Sequence, residues 1–553
     1  MINITHTPEG NLLTYVNGEP VICTRISHML PRLYSRALTI DFGRQTTSET
    51  VHRRTPRHRL RAHSPRRIGR RGRRVITATV IVHIMPIGLG LLYSGLMRRK
   101  NALSMLFLAM SAYAVGTLQW WLMGYSLTYS ETGSTFIGTL RYGAGVGVDI
   151  QPSPGSTAIP ALLYFIYQAQ FQSITACVLV AGTAERGRML PFLILAFAWC
   201  TVVYNPIARW VWSSKGWLYP HDLDFAGGGP VHIASGTGSV VLAFFVGPRR
   251  GYGTAKLDYR PQSPLLIALG TAFLWFGHAF SRFLRFWNCF NGASMSALNL
   301  KSMMCVSNTV LAGCAGALSW TTLDFIWTRK YSAIGISSGI LAGLIGITPA
   351  VGYVGLPAAF AVGAITAVVA NLSTSLKHYA KIDDAVDAGA LHGMGGICGA
   401  IVTGIFADSR VASFDGMTEI EGGWINGNFK QMGWQLAGCL TIVTYTAVVT
   451  YILCFVINLI PGCKFRSSEE AEIVGIDEAE IGEFTFDYVL LDQDYQPRQR
   501  VPNDPKLAAA ARLSTIREEE KSRAGPGTPS SVSEAELDKG DGVGVEITEV
   551  QRA

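Results

Sequence analysis

Apolar segments long enough to cross a lipid bilayer recur between about residue 75 and residue 460. A helix needs roughly 20 mostly apolar residues to span the hydrocarbon core, and about eleven segments meet that requirement. They cover approximately residues 75–97, 102–126, 160–182, 190–212, 230–247, 264–297, 302–325, 333–348, 355–376, 387–407 and 432–460. The pattern predicts an all-α polytopic membrane protein.

The loops between these segments alternate in charge. Lys and Arg concentrate in the loops after odd-numbered segments, such as "RRK" at 98–100 and "ERGR" at 185–188, whereas residues 213–229 contain only Lys215. Basic loops stay in the cytoplasm. The alternation therefore predicts an outside N-terminus, an inside C-terminus and an odd number of helices.

Composition agrees with a membrane protein. Only 15% of the 553 residues are charged, and 59 are glycine, which favours close helix packing in a bilayer. The ten cysteines show no CxxC spacing, so buried free thiols are the preferred interpretation over disulfides or a metal site. Outside the membrane segments there is no nucleophile, metal cluster or phosphate loop that would indicate an enzyme.

The two ends of the chain carry opposite charge. Residues 1–74 are basic, with eleven arginines in "RRTPRHRLRAHSPRRIGRRGRR". A transit peptide and a nucleic-acid arm are alternatives, but a wrong gene start is preferred, and no nucleic-acid partner is predicted. If this start is genuine and outside, Asn3 in "NIT" is a predicted glycosylation site.

The C-terminal tail, residues 461–553, is predicted to be cytoplasmic. From Lys464 onward it holds 20 Asp and Glu against 11 Lys and Arg, and it becomes rich in Ser, Glu and Gly. That composition predicts disorder towards the end. Ser514 and the serines in 530–533 are predicted kinase sites.

Two histidines stand at matching positions in two apolar, glycine-rich segments. Asp224 precedes His232 by eight residues, and Asp384 precedes His392 by eight. The pairs open the fifth and the tenth segments, so the chain divides into two five-helix halves of opposite orientation plus a final helix. This is the pattern of an inverted repeat, which places substrate near the middle of the membrane.

Ionisable groups inside a membrane usually mark a functional site. Two separate histidines, each bonded to a backbone carbonyl, are one alternative. A metal site is another, but the surrounding segments offer no third or fourth ligand. Neutral imidazoles in an apolar lumen suit a small hydrogen-bonding molecule or a proton passed between the rings.

The stretches around both histidines resemble a known family. "DFAGGGPVHIASG" and "DDAVDAGALHGMGGICGAIVTGIFA" are similar to the histidine helices of the ammonium transporter (Amt/Mep/Rh) family. "YSGLMRRKNALS", "AERGRMLPF", "YRPQ", "GITPAVGYV" and "FNGAS" also match, so the resemblance covers about residues 86–460. It is strongest to the fungal ammonium permeases that keep both histidines.

The resemblance implies a homotrimer in the plasma membrane with one pore in each subunit and no cofactor. It implies that ammonium is recruited at an outer vestibule and deprotonated, and that ammonia passes the histidines while the proton crosses separately, giving net charge movement. A passive ammonia channel and an ammonium sensor that signals through the tail are the alternatives.

The resemblance also assigns roles to individual residues. Trp212 and Tyr167 would form a cation–π site for ammonium. Ser294 would accept a hydrogen bond from the ion, and Phe171 and Phe290 would form a stacked gate below it. Asp224 and Asp384 would have structural roles with an electrostatic contribution. Ordinary helix packing is the alternative for the aromatic residues, and Tyr167 departs from the phenylalanine expected there.

The sixth segment departs from the family pattern. "WFGWFGFNGGS" is replaced by "WFGHAFSRFLRFWNCFNGAS", with extra residues within 278–289 that include Arg282 and Arg285. Each arginine would cost about 3 kcal/mol near the bilayer centre. A genuine insertion would displace Phe290 and Ser294, and a mispredicted exon boundary is the preferred explanation.

Overall fold

The computed structural model describes residues 79–254, 261–279, 291 and 300–483, together with the backbone of three strands within residues 5–23. The chain divides into two compact units, Met1–His63 and Ser64–Ala553. The three strands of the first unit are β1 (Thr5–His6), β2 (Leu12–Val16) and β3 (Glu19–Cys23), and they form an antiparallel sheet. The pattern of apolar residues did not predict these strands.

The second unit is mainly helical. Ten of its described helices are long and apolar enough to cross a membrane. These are α1 (Thr79–Leu96), α2 (Arg99–Tyr129), α3 (Ala161–Thr183), α4 (Met189–Trp212), α5 (Gly228–Val246), α7 (Leu300–Thr328), α8 (Ala333–Ala350), α9 (Leu356–Ala380), α10 (Gly389–Phe406) and α11 (Lys430–Leu459). A shorter apolar helix, α6 (Pro264–Ala279), lies between α5 and α7.

The described helices fall within a few residues of the predicted segments. The predicted sixth segment, 264–297, agrees at its start, but most residues after 279 lie outside the described part of the chain. The count of eleven spanning helices and the outside N-terminus therefore stay predictions.

Smaller elements lie between and after the long helices. A hairpin of β4 (Pro152–Ser153) and β5 (Ser156–Pro160) precedes α3. Single turns of helix occur at Gly143–Gly145, Ser409–Ala412, Ser413–Asp415 and Trp424–Asn426. After α11 come α12 (Glu469–Val474) and a π-helical turn at Asp477–Ile481.

Local sequence explains where helices begin. Ser332 caps α8, because its hydroxyl accepts a hydrogen bond from the Gly335 N–H at 2.9 Å. In α9, Pro357 occupies the first turn, where its missing N–H has no helical partner to lose.

Glycines let the helices approach closely. A Cβ on Gly316 of α7 would lie 2.3 Å from the Gly339 carbonyl oxygen of α8, and one on Gly343 would lie 2.2 Å from the Ala312 carbonyl oxygen. Small residues at such crossings replace the hydrophobic driving force that helices lack in lipid. The high glycine content thus has the packing role that the composition indicates.

Several basic loops gather at one end of the bundle, which we call the basic face. Glu185, after α3, pairs with Arg98 after α1 at 2.8 Å and with Arg249 after α5 at 3.1 Å. Arg249 also contacts Asp383, before α10, at 2.7 Å. The ends of α1, α3 and α5 therefore lie together, as the alternating loop charges require.

The segment after α11 packs against the same face. The Arg188 N–H donates to the Phe465 carbonyl at 2.8 Å, and the Ile476 N–H donates to the Asn101 side chain at 2.8 Å. The Asp477 carboxylate accepts hydrogen bonds from the backbone N–H groups of Leu103 and Ser104, near the start of α2. Residues 465–477 thus connect the start of α2 with the loop before α4. The kinase sites predicted from Ser514 onward lie outside the described residues.

Candidate functional site: a histidine pair in an apolar cavity

The two histidines meet where α5 and α10 run side by side. Their Nδ1 atoms are 3.1 Å apart and their ring centroids 5.3 Å apart. Each ring lies on a π-helical stretch that opens its helix, Gly228–Ile233 or Gly389–Met394. Such stretches are rare and frequently occur at functional sites. The geometry brings together the pair that the matched spacing singled out.

The two aspartates cap these helices in the same way. The Asp224 carboxylate accepts hydrogen bonds from the N–H groups of Gly227, Gly228 and Gly229 at 2.6–2.8 Å. Asp384 accepts from Ala388 at 3.1 Å and from Gly389 at 2.7 Å. Burial raises the pKa of Asp224, although the N–H donors act in the opposite direction. Both carboxylates thus satisfy helix N-termini, next to the positive end of the helix dipole.

A narrow cavity adjoins the histidine pair. It has a volume of about 30 Å³, and both rings line it together with apolar side chains that include Leu89, Ile174 and Leu344. A single water needs roughly 10–15 Å³ on this measure, so the cavity has room for only about two or three molecules of that size. Hydrated ions do not fit such a space.

Three of the predicted vestibule and gate residues are in contact. The rings of Tyr167 and Phe171 are 5.1 Å apart, and those of Phe171 and Trp212 are 5.7 Å apart, both edge to face. The Trp212 indole N–H donates to the Asp224 carbonyl at 3.0 Å, which fixes the ring beside the start of α5. Tyr167 and Phe171 are each only 1% exposed.

Three predicted site residues belong to parts of the chain that the structure does not describe. Phe290, Ser294 and Asn3 lie outside the described residues, as do the side chains of the extra segment 278–289. Within the described residues, no group of three or more His, Cys, Asp or Glu side chains is placed to hold a metal ion.

Two ion pairs that involve lysines of the spanning helices were not predicted from the sequence. Lys301 of α7, 1% exposed, pairs with Asp415 at 3.0 Å and lies over the rings of Phe225 and Tyr353. Lys377 of α9 pairs with Asp387 at 2.6 Å. Comparing the two histidine segments residue by residue would have marked Asp387, because it follows Asp384 by three residues as Gly227 follows Asp224.

Comparison with known proteins gives a consistent result. Residues 74–486 match the model of the Ammonium Transporter Family. Ammonium transporter 1 of Schizosaccharomyces pombe is 41% identical over 417 residues, which cover 75% of this chain and 82% of that protein. Ammonium transporter MEP2 of Saccharomyces cerevisiae is 42% identical over 418 residues, which cover 74% of this chain and 82% of that protein.

Solved structures match the fold as well. The crystal structure of Saccharomyces cerevisiae Mep2 aligns with a TM-score of 0.67 at 41% identity, over 72% of this chain and 88% of that one. The crystal structure of Candida albicans Mep2 aligns with a TM-score of 0.68 at 40% identity, over 77% and 91%. With its spanning helices and the match across residues 74–486, this chain is a multi-pass membrane transport protein, not an enzyme, and it belongs to the Ammonium Transporter Family.

Proposed function

We propose that this protein moves ammonium nitrogen across the membrane as ammonia, past His232 and His392, with net movement of charge. The observation that carries the proposal is the 3.1 Å contact between the two Nδ1 atoms beside a narrow apolar cavity. Relatives named as ammonium transporters support the substrate.

The histidine contact determines which hydrogen-bond donor and acceptor the pair presents to a passing molecule. Two neutral rings joined through their Nδ1 atoms share one hydrogen, so one Nδ1 donates and the other accepts. The ring that donates keeps an Nε2 acceptor, and the other ring keeps an Nε2–H donor. One donor and one acceptor suit ammonia, which both gives and accepts hydrogen bonds, and the same pair suits a proton passed between rings.

Selectivity for ammonium over potassium follows from the free-energy cost of removing water from an ion. Moving a full charge into an apolar cavity costs several kcal/mol or more, because no water replaces the hydration shell. Ammonium avoids this cost by giving up a proton at the outer vestibule and crossing as neutral ammonia, while the proton crosses separately between the two histidine rings, so that one positive charge moves with each ammonia. Potassium has no proton to give up and is therefore excluded.

Recruitment of the cation takes place before deprotonation. Trp212, which is half-buried, lies at the end of the bundle opposite the basic face, where a cation–π contact with its ring would hold ammonium, and the buried Tyr167 would complete that site. Phe171 contacts both rings and would close the way to water. In the same proposal Phe290 completes the gate, Ser294 accepts a hydrogen bond from the ion, and Asp224 adds a favourable negative charge.

We also propose an oligomeric state, a membrane and an orientation for the protein. The membrane domain, residues 75–460, would form a homotrimer in the plasma membrane with its basic face in the cytoplasm. The tail would extend into the cytoplasm, where kinases act on it, and residues 1–74 would form a separate segment. The basic loops that meet at Glu185 support the orientation, since cytoplasmic loops are the basic ones.

The test is a current measurement in voltage-clamped cells that express the chain, with pulses of ammonium or of potassium. We expect a saturable inward current with ammonium and none with potassium. His232→Ala and His392→Ala, checked for equal surface delivery, should each abolish the ammonium current. Ammonia flux without current would instead support a passive channel, and a current unchanged in both variants would contradict the role of the histidine pair.

A further inference from the structure

A second cavity continues from the histidine pair towards the basic face. It has a volume of about 70 Å³ and shares Leu92, Leu341 and His392 with the first. Its far part is more polar, because Ser337, Ser338 and Asp387 also line it. A molecule that leaves the histidines through this cavity meets one carboxylate, that of Asp387.

Asp387 occupies an unusual backbone position. Its φ is 56°, in the left-handed region, and its counterpart Gly227 in the other half of the repeat also has a positive φ, 112°. Glycine and asparagine satisfy such a position as well as aspartate does, and neither brings a charge. The backbone alone therefore does not explain a carboxylate that lines the cavity.

The carboxylate has a cationic partner. Lys377 Nζ lies 2.6 Å from Asp387 Oδ1 and also donates to the Asp384 carbonyl at 3.1 Å. The side chains of Lys377 and Asp387 are 22% and 33% exposed, so the pair lies between the cavity and solvent. A partly exposed pair of this kind is weak enough to exchange partners.

We propose that Asp387 is an exit-side binding residue for ammonium, and that Lys377 occupies its carboxylate when no ammonium is there. The inference rests on the proposed ammonium transport. Ammonia that reaches the polar part of the cavity takes a proton from hydronium, NH₃ + H₃O⁺ → NH₄⁺ + H₂O. The new cation replaces the Lys377 ammonium group at Asp387, and the return of Lys377 releases it to the solvent at the basic face.

The test uses the full chain in proteoliposomes of known orientation. Transport is measured as a function of ammonium concentration applied to either face, for wild type, Asp387→Asn and Lys377→Gln. Asparagine tolerates the left-handed backbone, so Asp387→Asn removes the charge without straining the turn. Lys381→Gln, an exposed residue of the same loop, serves as a matched control for loss of a positive charge.

The two variants should shift the KM for ammonium at the basic face in opposite directions. Asp387→Asn should raise it about fivefold, the scale of one partly exposed ionic contact. Lys377→Gln should lower it, because the carboxylate loses its internal competitor. The KM at the opposite face should stay the same in both, and Lys381→Gln should match wild type.

If the KM at the basic face shifts in the same direction in both variants, or shifts in neither, the pair only stabilises the loop. Either result would overturn the inference. Absence of ammonium transport both by the wild-type chain and by a form of it without residues 278–289 would overturn the proposed function instead, so the two failures are distinguishable.

Discussion

The backbone of Gly236 packs directly against that of Gly393. A Cβ on Gly236 would lie 2.2 Å from the Gly393 nitrogen and 2.7 Å from its Cα. Gly236 follows His232 by four residues, and Gly396, which follows His392 by four, meets Ile233 in the corresponding way. The two histidine helices therefore cross with no space between them, and this crossing holds the rings within contact distance.

Gly236→Ala should separate the histidine helices and abolish transport. The added methyl group meets backbone atoms, which cannot move aside as a side chain can, and overpacking of this kind costs about 1–3 kcal/mol or more. The measurement is ammonium current at matched surface delivery. Gly393→Ala is the control, because its Cβ would meet nothing closer than 3.8 Å and current should persist. Equal currents in both variants would contradict the close crossing.

Trp212→Leu should weaken ammonium recruitment. Loss of a partly desolvated cation–π contact costs about 2 kcal/mol, which corresponds to roughly a thirtyfold rise in KM. The KM is measured from the dependence of the ammonium current on ammonium concentration. Trp121→Leu, which removes a 45%-exposed tryptophan on the outer surface of α2, should leave the KM unchanged. A fall in maximal current at constant KM would argue against a binding role for Trp212.

Glu185→Gln should destabilise the basic face. Burial alone would raise the pKa of Glu185, but the charges of Arg98 and Arg249 outweigh it and hold the pKa at about 2, below the usual 4.5. A lowered carboxylate pKa contributes stability above the unfolded pKa, and that contribution is lost as pH falls through the folded one. The shift corresponds to about 3 kcal/mol at neutral pH.

Thermal denaturation in detergent, followed against pH, measures this contribution. The gap between wild type and Glu185→Gln should be widest above about pH 4.5 and should close towards about pH 2. Glu131→Gln removes a 46%-exposed partner of Arg141 and should change stability by less than about 1 kcal/mol. A gap for Glu185→Gln that does not depend on pH would contradict the ionised pairing.

Much of the fold could be predicted from the sequence, because apolar length and loop charge are strong signals in a membrane protein. The all-α membrane fold and the family are confirmed. The spacing of Asp224 and His232, repeated at Asp384 and His392, led to a pair that the structure brings into contact. Their roles, like those of Trp212 and Phe171, stay predictions.

Other features of the structure could not be predicted from the pattern of apolar residues. The π-helical stretches at Gly228–Ile233 and Gly389–Met394 depend on a single extra residue per turn, which hydropathy does not register. The pair of Lys301 and Asp415 joins residues 114 positions apart, so only the packing of α7 against the loop after α10 creates it. Asp387 lies between two apolar segments, and hydropathy does not indicate that its side chain lines a cavity.

The most direct measurement is ammonium flux and current recorded together, for the chain as written and for a form without residues 278–289. We expect saturable ammonium current in the shortened form, with charge moved in proportion to ammonium. Current in both forms would show that the extra residues are tolerated, and current only in the shortened form would identify them as an error of the gene model. No flux in either form, with correct surface delivery, would contradict ammonium transport by this protein.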